Sequence, residues 1–244
     1  MEQLLKSKTA IITGATRGLG KAIAFVFARE GATVAILGRK QEAIDQTVSE
    51  IQAAGYSAYG YKLDVANQAE IDQVLPQIHS DFGKIDILVN NAGIAKELPL
   101  MEMPLKVWYD HIDTNLNSTA RMIKAILPIM TSQKSGNIVN IASAAGLRGR
   151  PNNSAYSASK AGIINLSQAI GDEVRHYGIR VNAVCPGPID TEMFQNCADR
   201  DFILAAGSDI FTPETIANAV LFCASDMSAG MNSQIITMRG FNRW

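Results

Sequence analysis

Short apolar runs recur along the chain and alternate with longer segments in which the apolar residues are spaced more widely. Seven of these runs are rich in aliphatic residues, and most are apolar at successive positions rather than at every second one. That pattern is typical of strands in a parallel sheet that is covered on both faces. The predicted strands are residues 9–13, 33–37, 57–63, 86–90, 137–142, 180–184 and 234–238.

The segments between the predicted strands have helical periodicity. The apolar stripes that show it best are Leu19, Ile23, Val26 and Phe27 in residues 19–30, and Ile44, Val48 and Ile51 in residues 41–54. Five glycines each follow a helical pattern and precede a strand, so we expect them to end helices in the left-handed conformation. These glycines are Gly31, Gly55, Gly83, Gly136 and Gly178.

The alternation of strands and helices predicts an α/β protein. We expect a single-domain Rossmann fold whose doubly wound, seven-stranded parallel sheet is flanked by helices. No composition break divides residues 1–244, so we assign them to one domain. Residues 188–212 are irregular and follow a strand end, where such folds build substrate sites, so we expect a substrate loop there. Its apolar side chains either cover an apolar substrate or simply pack, and they are Met193, Phe194, Phe202, Ile203 and Leu204.

The composition excludes several classes of protein. Among 244 residues, 47% are hydrophobic and 18% charged, as in a globular chain with a large core. The formal net charge of −1 provides no basic field for nucleic acid or an anionic membrane. No apolar run approaches the roughly 18 residues that a membrane helix needs, and no secretory signal pattern opens the chain. We therefore expect a cytoplasmic protein that binds neither nucleic acid nor membrane.

The cysteines and histidines do not predict a metal site. Three cysteines lie far apart, at 185, 197 and 223, and read as reduced thiols, with Cys185 a buried apolar residue. The three histidines, at 79, 111 and 176, form no ligand pair, so surface or packing roles are expected for them.

A glycine-rich turn directly follows the first predicted strand and opens the first helix, with the sequence TGATRGLG at residues 13–20. Gly14 permits the tight turn, while Gly18 and Gly20 let the backbone approach a pyrophosphate and let the helix pack close to the sheet. The helix N-terminus adds free N–H groups and a positive dipole end. This context predicts dinucleotide binding, with Thr16, Arg17 and Leu19 in the same site.

The end of the second strand indicates which dinucleotide is bound. Sites for NAD usually carry an acidic residue there, which holds the ribose 2′-hydroxyl. Here Gly38 occupies the position and is followed by Arg39 and Lys40. Two guanidinium groups, Arg17 and Arg39, would suit a 2′-phosphate, although Arg39 could also be a solvated loop residue. We predict NADP(H) rather than NAD(H).

Further motifs follow in a fixed order, each in the expected strand context. They are LDV at 63–65, NNAG at 90–93, NLNS with Asn115, IASAAG with Ser143, YSASK with Tyr156 and Lys160, and PGPIDT at 186–191. Together with the glycine turn, this set resembles the short-chain dehydrogenase/reductase family over essentially the full chain. In length and core motifs it also resembles the 3-oxoacyl-[acyl-carrier-protein] reductases within that family.

The resemblance implies a nicotinamide cofactor and assigns the contacts around it. Asp64 would bond the adenine amino group and Val65 would pack on the ring. The cleft would be lined by Asn91, Ala92 and Gly93, and by Pro186, Gly187, Ile189 and Thr191, of which Thr191 would meet the nicotinamide carboxamide. It also implies four catalytic residues, namely Asn115, Ser143, Tyr156 and Lys160.

The chemistry of these four residues suits reduction of a carbonyl or oxidation of a secondary alcohol. Tyr156 would be the general acid or base, and Lys160 lies one helical turn away, where a cation lowers the pKa of a phenol. By resemblance Lys160 would also hold the nicotinamide ribose. Ser143 would donate to the substrate oxygen, and Asn115 would hold a water that relays protons to Lys160. The alternatives are a capping role for Ser143 and helix packing for Asn115.

The substrate is left open between a small carbonyl or alcohol and a 3-oxoacyl group on acyl carrier protein. Reductases of the second kind usually carry basic residues on two interface helices, where this chain has Pro128 and Asp172. Basic residues that lie nearby in sequence are Arg121, Lys124 and Arg175. Two arginines at 148 and 150 either meet an anionic substrate or lie in a solvated loop.

A non-catalytic cofactor sensor or scaffold is the alternative from another class, but all four catalytic positions are filled. By resemblance we expect a homotetramer or homodimer. The C-terminal residues MNSQIITMRGFNRW depart from the family's usual glycine-rich, acidic ending, and Phe241 and Trp244 would pack on a neighbouring subunit.

Overall fold

The computed structural model describes residues 3–197, 200–205 and 207–240, without the side chain of Phe202. Within these ranges seven strands form one sheet. The strands are β1 (Thr9–Thr13), β2 (Thr33–Gly38), β3 (Ala58–Lys62), β4 (Ile87–Asn90), β5 (Gly136–Ile141), β6 (Ile179–Pro186) and β7 (Ile235–Met238). Their order in the sheet is β3-β2-β1-β4-β5-β6-β7, and every neighbouring pair is parallel. The order reverses between β1 and β4, which opens a crevice at the carboxyl ends of these two strands.

The helices connect the strands on both sides of the sheet. They are α1 (Gly18–Arg29), α2 (Gln41–Ala53), α3 (Gln68–Phe82), α4 (Leu105–His111), α5 (Ser118–Gln133), α6 (Ala144–Leu147), α7 (Ser154–Val174), α8 (Glu192–Gln195), α9 (Arg200–Ala205) and α10 (Pro213–Ala224). A π-helical turn, Ile112–Asn117, joins α4 to α5. Short 3-10 turns occupy Leu100–Glu102, Arg175–Tyr177 and Asp226–Ser228.

Two apolar cores cover the two faces of the sheet, and consecutive strand residues supply them alternately. In β1, Ala10 and Ile12 face the core beneath α1, α2 and α10, while Ile11 faces the core beneath α3 and α5. In β2, Val34 and Leu37 are divided between the two cores in the same way. Both sets are buried, which is why the strands are apolar at successive positions.

The sequence-based elements are confirmed within one or two residues at their ends, and the two apolar stripes lie on the inner faces of α1 and α2. Four of the five predicted helix stops have a positive φ, namely Gly31, Gly55, Gly83 and Gly178. The prediction for Gly136 is wrong, because Lys134 takes the left-handed conformation after α5 (φ 52°) and Gly136 is the first residue of β5. A side chain at Gly136 would collide with Met130, so this glycine provides space instead of a turn.

The segment 188–212 is more ordered than its sequence predicts. It contains α8 and α9, and its two ends are held together by hydrogen bonds from Phe211 N to Pro188 O (3.0 Å) and from Asp190 N to Phe211 O (2.8 Å). Phe194 and Ile203 are buried, whereas Met193 and Leu204 are exposed. The expectations for the Phe202 side chain and for Phe241 and Trp244 fall outside the described residues.

No helix in the described ranges is long and apolar enough to cross a lipid bilayer.

Candidate active site

The crevice between β1 and β4 is closed at its base by Thr13, the last residue of β1. Its Oγ1 accepts hydrogen bonds from the backbone amides of Asn91 (2.9 Å) and Ala92 (3.0 Å), just beyond β4. In return the Asn91 side chain donates to the carbonyls of Thr13 (3.0 Å) and Gly14 (3.2 Å). Thr13 was not among the predicted site residues, although a hydroxyl at the last strand position before a glycine turn is a usable signal.

The glycine turn has the geometry that an anion-binding loop requires. Gly14 has φ of +62°, and a Cβ there would lie 2.9 Å from Ala92 Cα; a Cβ at Gly20 would collide with the Gly14 carbonyl. Arg17 is the N-cap of α1 and gives no side-chain hydrogen bond to the first turn, whose first N–H groups have no partner within the helix. These residues therefore fit the pyrophosphate of a dinucleotide. Leu19, predicted in the same site, points its side chain into the core.

The arginines predicted for a 2′-phosphate lie on the surface near this turn. The guanidinium of Arg17 forms an ion pair with Glu192 at the start of α8, and both side chains are exposed. Arg39 is exposed just beyond β2. A Cβ at Gly38 would come within 2.7 Å of the Thr16 methyl group, so the glycine lets Thr16 pack against the strand end. The convergence of Arg17 and Arg39 on one phosphate stays a prediction.

The segment after β3 is held by its own backbone and by the start of α3. Asp64 N donates to Glu70 Oε2 (2.7 Å), and the Asp64 carboxylate accepts from Ala66 N (3.0 Å). Val65 is buried. Of the two residues that were predicted to contact adenine, Asp64 is therefore held by hydrogen bonds and Val65 is enclosed.

The segment after β6 lies beside the glycine turn. Gly187 N donates to Met238 O (2.7 Å), beyond the last residue of β6, Pro186. The Thr191 hydroxyl donates to Ile189 O (3.3 Å). A Cβ added at Gly18 would lie 3.4 Å from the Thr191 methyl group. The structure thus brings the predicted residues of the first and sixth strand ends into contact.

Tyr156 and Lys160 lie one turn apart on α7, as their spacing predicts. The Lys160 ammonium donates to Ile141 O at the end of β5 (2.8 Å) and lies 5.6 Å from the centre of the Tyr156 ring. Ser143 is the N-cap of α6, and its Oγ accepts from Ala145 N (3.1 Å). The predicted capping alternative is therefore present, but it uses an acceptor lone pair and leaves the Ser143 O–H group to donate elsewhere.

Asn115 lies in the π-helical turn and is fully buried. Its side-chain amide donates to Ile94 O and to Ser159 Oγ (3.0 Å each), and its Oδ1 accepts from Ile94 N (2.8 Å). An added Cβ on Gly93 would lie 3.1 Å from Asn115 Oδ1 and 3.6 Å from Lys160 Nζ. Asn115 therefore lies beside Lys160, and its side chain fixes the turn after β4; a water held between the two stays a prediction.

The chain is similar in sequence to known proteins. A family profile described as short chain dehydrogenase matches residues 8–201. The 3-oxoacyl-[acyl-carrier-protein] reductase of Chlamydia muridarum (strain MoPn / Nigg) is 38% identical over 245 residues, covering 98% of this chain and 99% of the relative. That of Synechocystis sp. (strain ATCC 27184 / PCC 6803 / Kazusa) is 38% identical over 240 residues, covering 98% and 96%.

The chain belongs to the short-chain dehydrogenase/reductase family.

Solved structures of the family agree with the fold of this short-chain dehydrogenase/reductase. A 7α-hydroxysteroid dehydrogenase complexed with NADH and 7-oxo glycochenodeoxycholic acid has a TM-score of 0.94 and 31% identity, covering 99% of this chain and 96% of that one. A levodione reductase has a TM-score of 0.92 and 29% identity, covering 97% of each chain. This chain is accordingly an oxidoreductase that acts on CH–OH and C=O groups.

The ionisation of the short-chain dehydrogenase/reductase site is governed by burial. Burial raises the pKa of Tyr156, while the Ser143 hydroxyl and the positive charge of Arg150 act in the opposite direction. The net shift is opposite to the lowering that we expected from Lys160. The reason is that loss of solvent around the buried phenol disfavours its charged form more than the neighbouring groups favour that form. Burial also lowers the pKa of Lys160, to about 8. The phenol is therefore held in its neutral, proton-donating form.

The predictions for the cysteines and histidines concern packing and not catalysis. In the described ranges no three His, Cys, Asp or Glu side chains group as metal ligands would. Cys185 is buried, as expected, and burial raises the pKa of its thiol to about 11. His176 is exposed, whereas His111 is fully buried and bonded to backbone.

Proposed function

We propose that this chain is an NADP(H)-dependent ketoreductase in which Tyr156 transfers the proton. The observation that carries the proposal is the grouping of Tyr156, Lys160 and Ser143 at the carboxyl ends of β5 and β6, beside the glycine turn. The nicotinamide supplies the hydride in reduction and accepts it in oxidation. The predicted roles of the individual residues are part of this proposal.

In the direction of reduction, the Tyr156 hydroxyl gives its proton to the substrate oxygen as that oxygen becomes negative. The Ser143 O–H donates a hydrogen bond to the same oxygen and stabilises the developing charge. The Lys160 ammonium favours the phenolate that is left on Tyr156. Because burial raises the pKa of Tyr156, the phenol is protonated in the resting site, which is the form that reduction requires.

The proton transfer is tested by Tyr156→Phe, with Tyr177→Phe on an exposed 3-10 turn as the matched control. We expect kcat for ketone reduction to fall by about a thousandfold in the first variant and to stay unchanged in the second. Cofactor binding, followed by fluorescence titration, should change less than about twofold in both, since a hydroxyl is lost without a change of shape. Retained turnover in Tyr156→Phe would refute the role, whereas tight NADPH binding without turnover of any ketone or alcohol would favour a sensor.

The choice of NADP(H) rests on the end of β2, where Gly38 replaces an acidic residue and exposed Arg39 and Lys40 follow. The family also takes NADH, as the 7α-hydroxysteroid dehydrogenase complex shows for that protein. We expect kcat/KM to favour NADPH, and Arg39→Ala to reduce the preference by about tenfold or more. Arg29→Ala, whose side chain pairs with Glu214, is the charge control. A preference for NADH in the unmodified enzyme would refute the proposal.

The substrate that we propose is a small carbonyl compound or secondary alcohol, bound under residues 188–212. A 3-oxoacyl group on acyl carrier protein is the second candidate, because relatives with 38% identity bear that name. On the helices concerned, Pro128 and Asp172 are exposed, and Arg121 is engaged by Asp113 (2.7 Å). Of the three basic residues near these helices, only Lys124 and Arg175 are therefore available to contact an acidic carrier protein.

A panel of ketones and alcohols that includes a 3-oxoacyl thioester, free and on carrier protein, separates the two candidates. If the carrier is not recognised, kcat/KM for the free and the carried thioester will agree within about threefold, and Lys124→Glu will change neither. A carrier-dependent gain of more than tenfold that Lys124→Glu abolishes would establish the carrier-protein reading instead.

We further propose a homotetramer or homodimer in the cytoplasm. The cytoplasmic assignment is supported by three cysteines without a disulfide, two of which are buried. The assembly is inferred from the family alone, and a monomer in light scattering would contradict it.

A further inference from the structure

His111, the last residue of α4, is fully buried and belongs to none of the roles discussed above. Its Nε2 accepts a hydrogen bond from Lys96 N (3.0 Å), and its Nδ1 lies 2.7 Å from Val107 O. A backbone N–H can only donate and a carbonyl can only accept, so Nε2 carries the lone pair and Nδ1 carries the proton. The ring is therefore a neutral bridge between α4 and residue 96.

Asn115, four residues further on, holds the same stretch of chain at Ile94. His111 is the last residue of α4, and Asn115 lies in the π-helical turn that continues directly from it. Two side chains from this continuous helical stretch therefore hold two amides, those of Ile94 and Lys96. We name residues 94–98 the wall segment.

The far end of the wall segment contacts the loop that leads into α7. Leu98 N donates to Asn152 O (2.8 Å), and Asn153 Nδ2 donates to Glu97 Oε1 (3.1 Å). Asn153 is the N-cap of α7, and Tyr156 follows in its first turn. The Cys197 thiol, beyond α8, also lies 3.1 Å from Glu97 Oε1. The wall segment therefore joins the start of α7 to residues 188–212.

We propose that His111 is a positioning residue that fixes the substrate side of the active site through Lys96 N. Asn115 fixes the cofactor side of the wall segment, next to Gly93 and Lys160, and does so without His111. Loss of the His111 bond releases the Lys96 amide, while Ile94 stays held by Asn115 and the far end of the wall segment stays held at residues 152 and 153. Substrate binding then weakens more than cofactor binding. This inference rests on the proposed function, because it takes Tyr156 as the reacting group.

Three substitutions separate the two bonds of the imidazole. In His111→Gln the amide oxygen reaches the position of Nε2 and retains an acceptor for Lys96 N. In His111→Asn the shorter amide replaces Nδ1 and cannot reach Lys96, and His111→Leu removes both bonds. His176→Leu on the exposed 3-10 turn is the matched control for loss of a histidine.

The first measurement is hydrogen exchange of single amides, which needs no turnover. We expect the Lys96 amide to exchange about tenfold faster in His111→Asn and His111→Leu, and at the original rate in His111→Gln, since one hydrogen bond is lost or kept. The Ile94 amide should be unchanged in all of them. Equal protection of Lys96 in every variant would overturn the proposal.

The second measurement is steady-state reduction of the best ketone, together with the Kd of NADPH. His111→Asn should raise the substrate KM by about three- to tenfold while kcat and the NADPH Kd change less than about twofold, and His111→Gln should restore KM. Equal loss of substrate and cofactor binding, or no rescue by Gln, would show a merely structural role and overturn the proposal. An unmodified enzyme that reduces no ketone would instead refute the proposed function, and the exchange result would still decide whether His111 holds residue 96.

Discussion

Lys160 is buried although its proposed catalytic role requires a charge, and its replacement by methionine should therefore stabilise the protein while it abolishes turnover. Only 4% of Lys160 is exposed, and its ammonium has one hydrogen bond, to Ile141 O. Methionine has a similar length and no charge, so it fits the same space. The catalytic role proposed for Lys160 requires that charge, and the stability of the fold does not.

The magnitude follows from the shift of the Lys160 pKa from its ordinary 10.5 to about 8. Each pKa unit corresponds to about 1.4 kcal/mol, so holding the charge in the fold at pH 7 costs about 3 kcal/mol. The lost hydrogen bond to Ile141 O offsets about 1 kcal/mol of this. Lys160→Met should therefore raise the free energy of unfolding by about 2 kcal/mol at pH 7.

The gain should depend on pH in a definite direction. Between pH 8 and 10.5 the unfolded chain still binds the Lys160 proton and the folded chain has released it, so the unmodified protein becomes more stable as the pH rises. The advantage of Lys160→Met shrinks by about 1.4 kcal/mol per pH unit above 8 and is gone near about pH 9.5. Below pH 8 both states bind the proton, so the advantage is constant.

Urea denaturation at one protein concentration, at pH 7 and at about pH 9.5, measures both effects by linear extrapolation. Lys124→Met, at an exposed position of α5, is the control and should show no pH-dependent difference. A Lys160→Met protein that is less stable than the unmodified one at pH 7 would refute the reasoning. An advantage that is the same at both pH values would refute it as well.

Three further changes test other features of the structure. Gly14→Ala should lower the free energy of unfolding by about 1–3 kcal/mol and weaken cofactor binding, because its Cβ would lie 2.9 Å from Ala92 Cα. Gly55→Ala, also at positive φ but in open space, should lower it less in urea denaturation. Equal losses in the two variants would contradict the close approach at Gly14. Asn140→Ala should lower the free energy of unfolding by about 1–3 kcal/mol, because the two buried side chains that are hydrogen-bonded to Asn140 would each lose a partner. An unchanged midpoint of urea denaturation would contradict this prediction. Cys223 should resist alkylation at pH 8 in the folded protein, because burial raises its thiol pKa to about 11, and reaction at the rate of a free thiol would exclude that environment.

The strands, the glycine turn and the placement of Tyr156 one turn before Lys160 could be predicted because each depends on residues that are close in sequence. A strand that supplies two cores must be apolar at successive positions, and a residue pair at i and i+4 must share a helical face. Resemblance extended these local signals to the residues at the other strand ends. Local signals failed at Gly136, where the space under Met130 and not the helix end requires a glycine.

The amino-acid sequence by itself determined the layered α/β fold of this short-chain dehydrogenase/reductase, and it predicted the glycine turn and the proposed catalytic set. Only the tertiary structure decided how the site is held and charged. Thr13 meets the amides after β4, and His111 meets Lys96 N, because the sheet and the π-helical turn bring distant residues together. The pKa values of Tyr156 and Lys160 move in directions that spacing cannot give, because burial depends on everything that the fold packs around them.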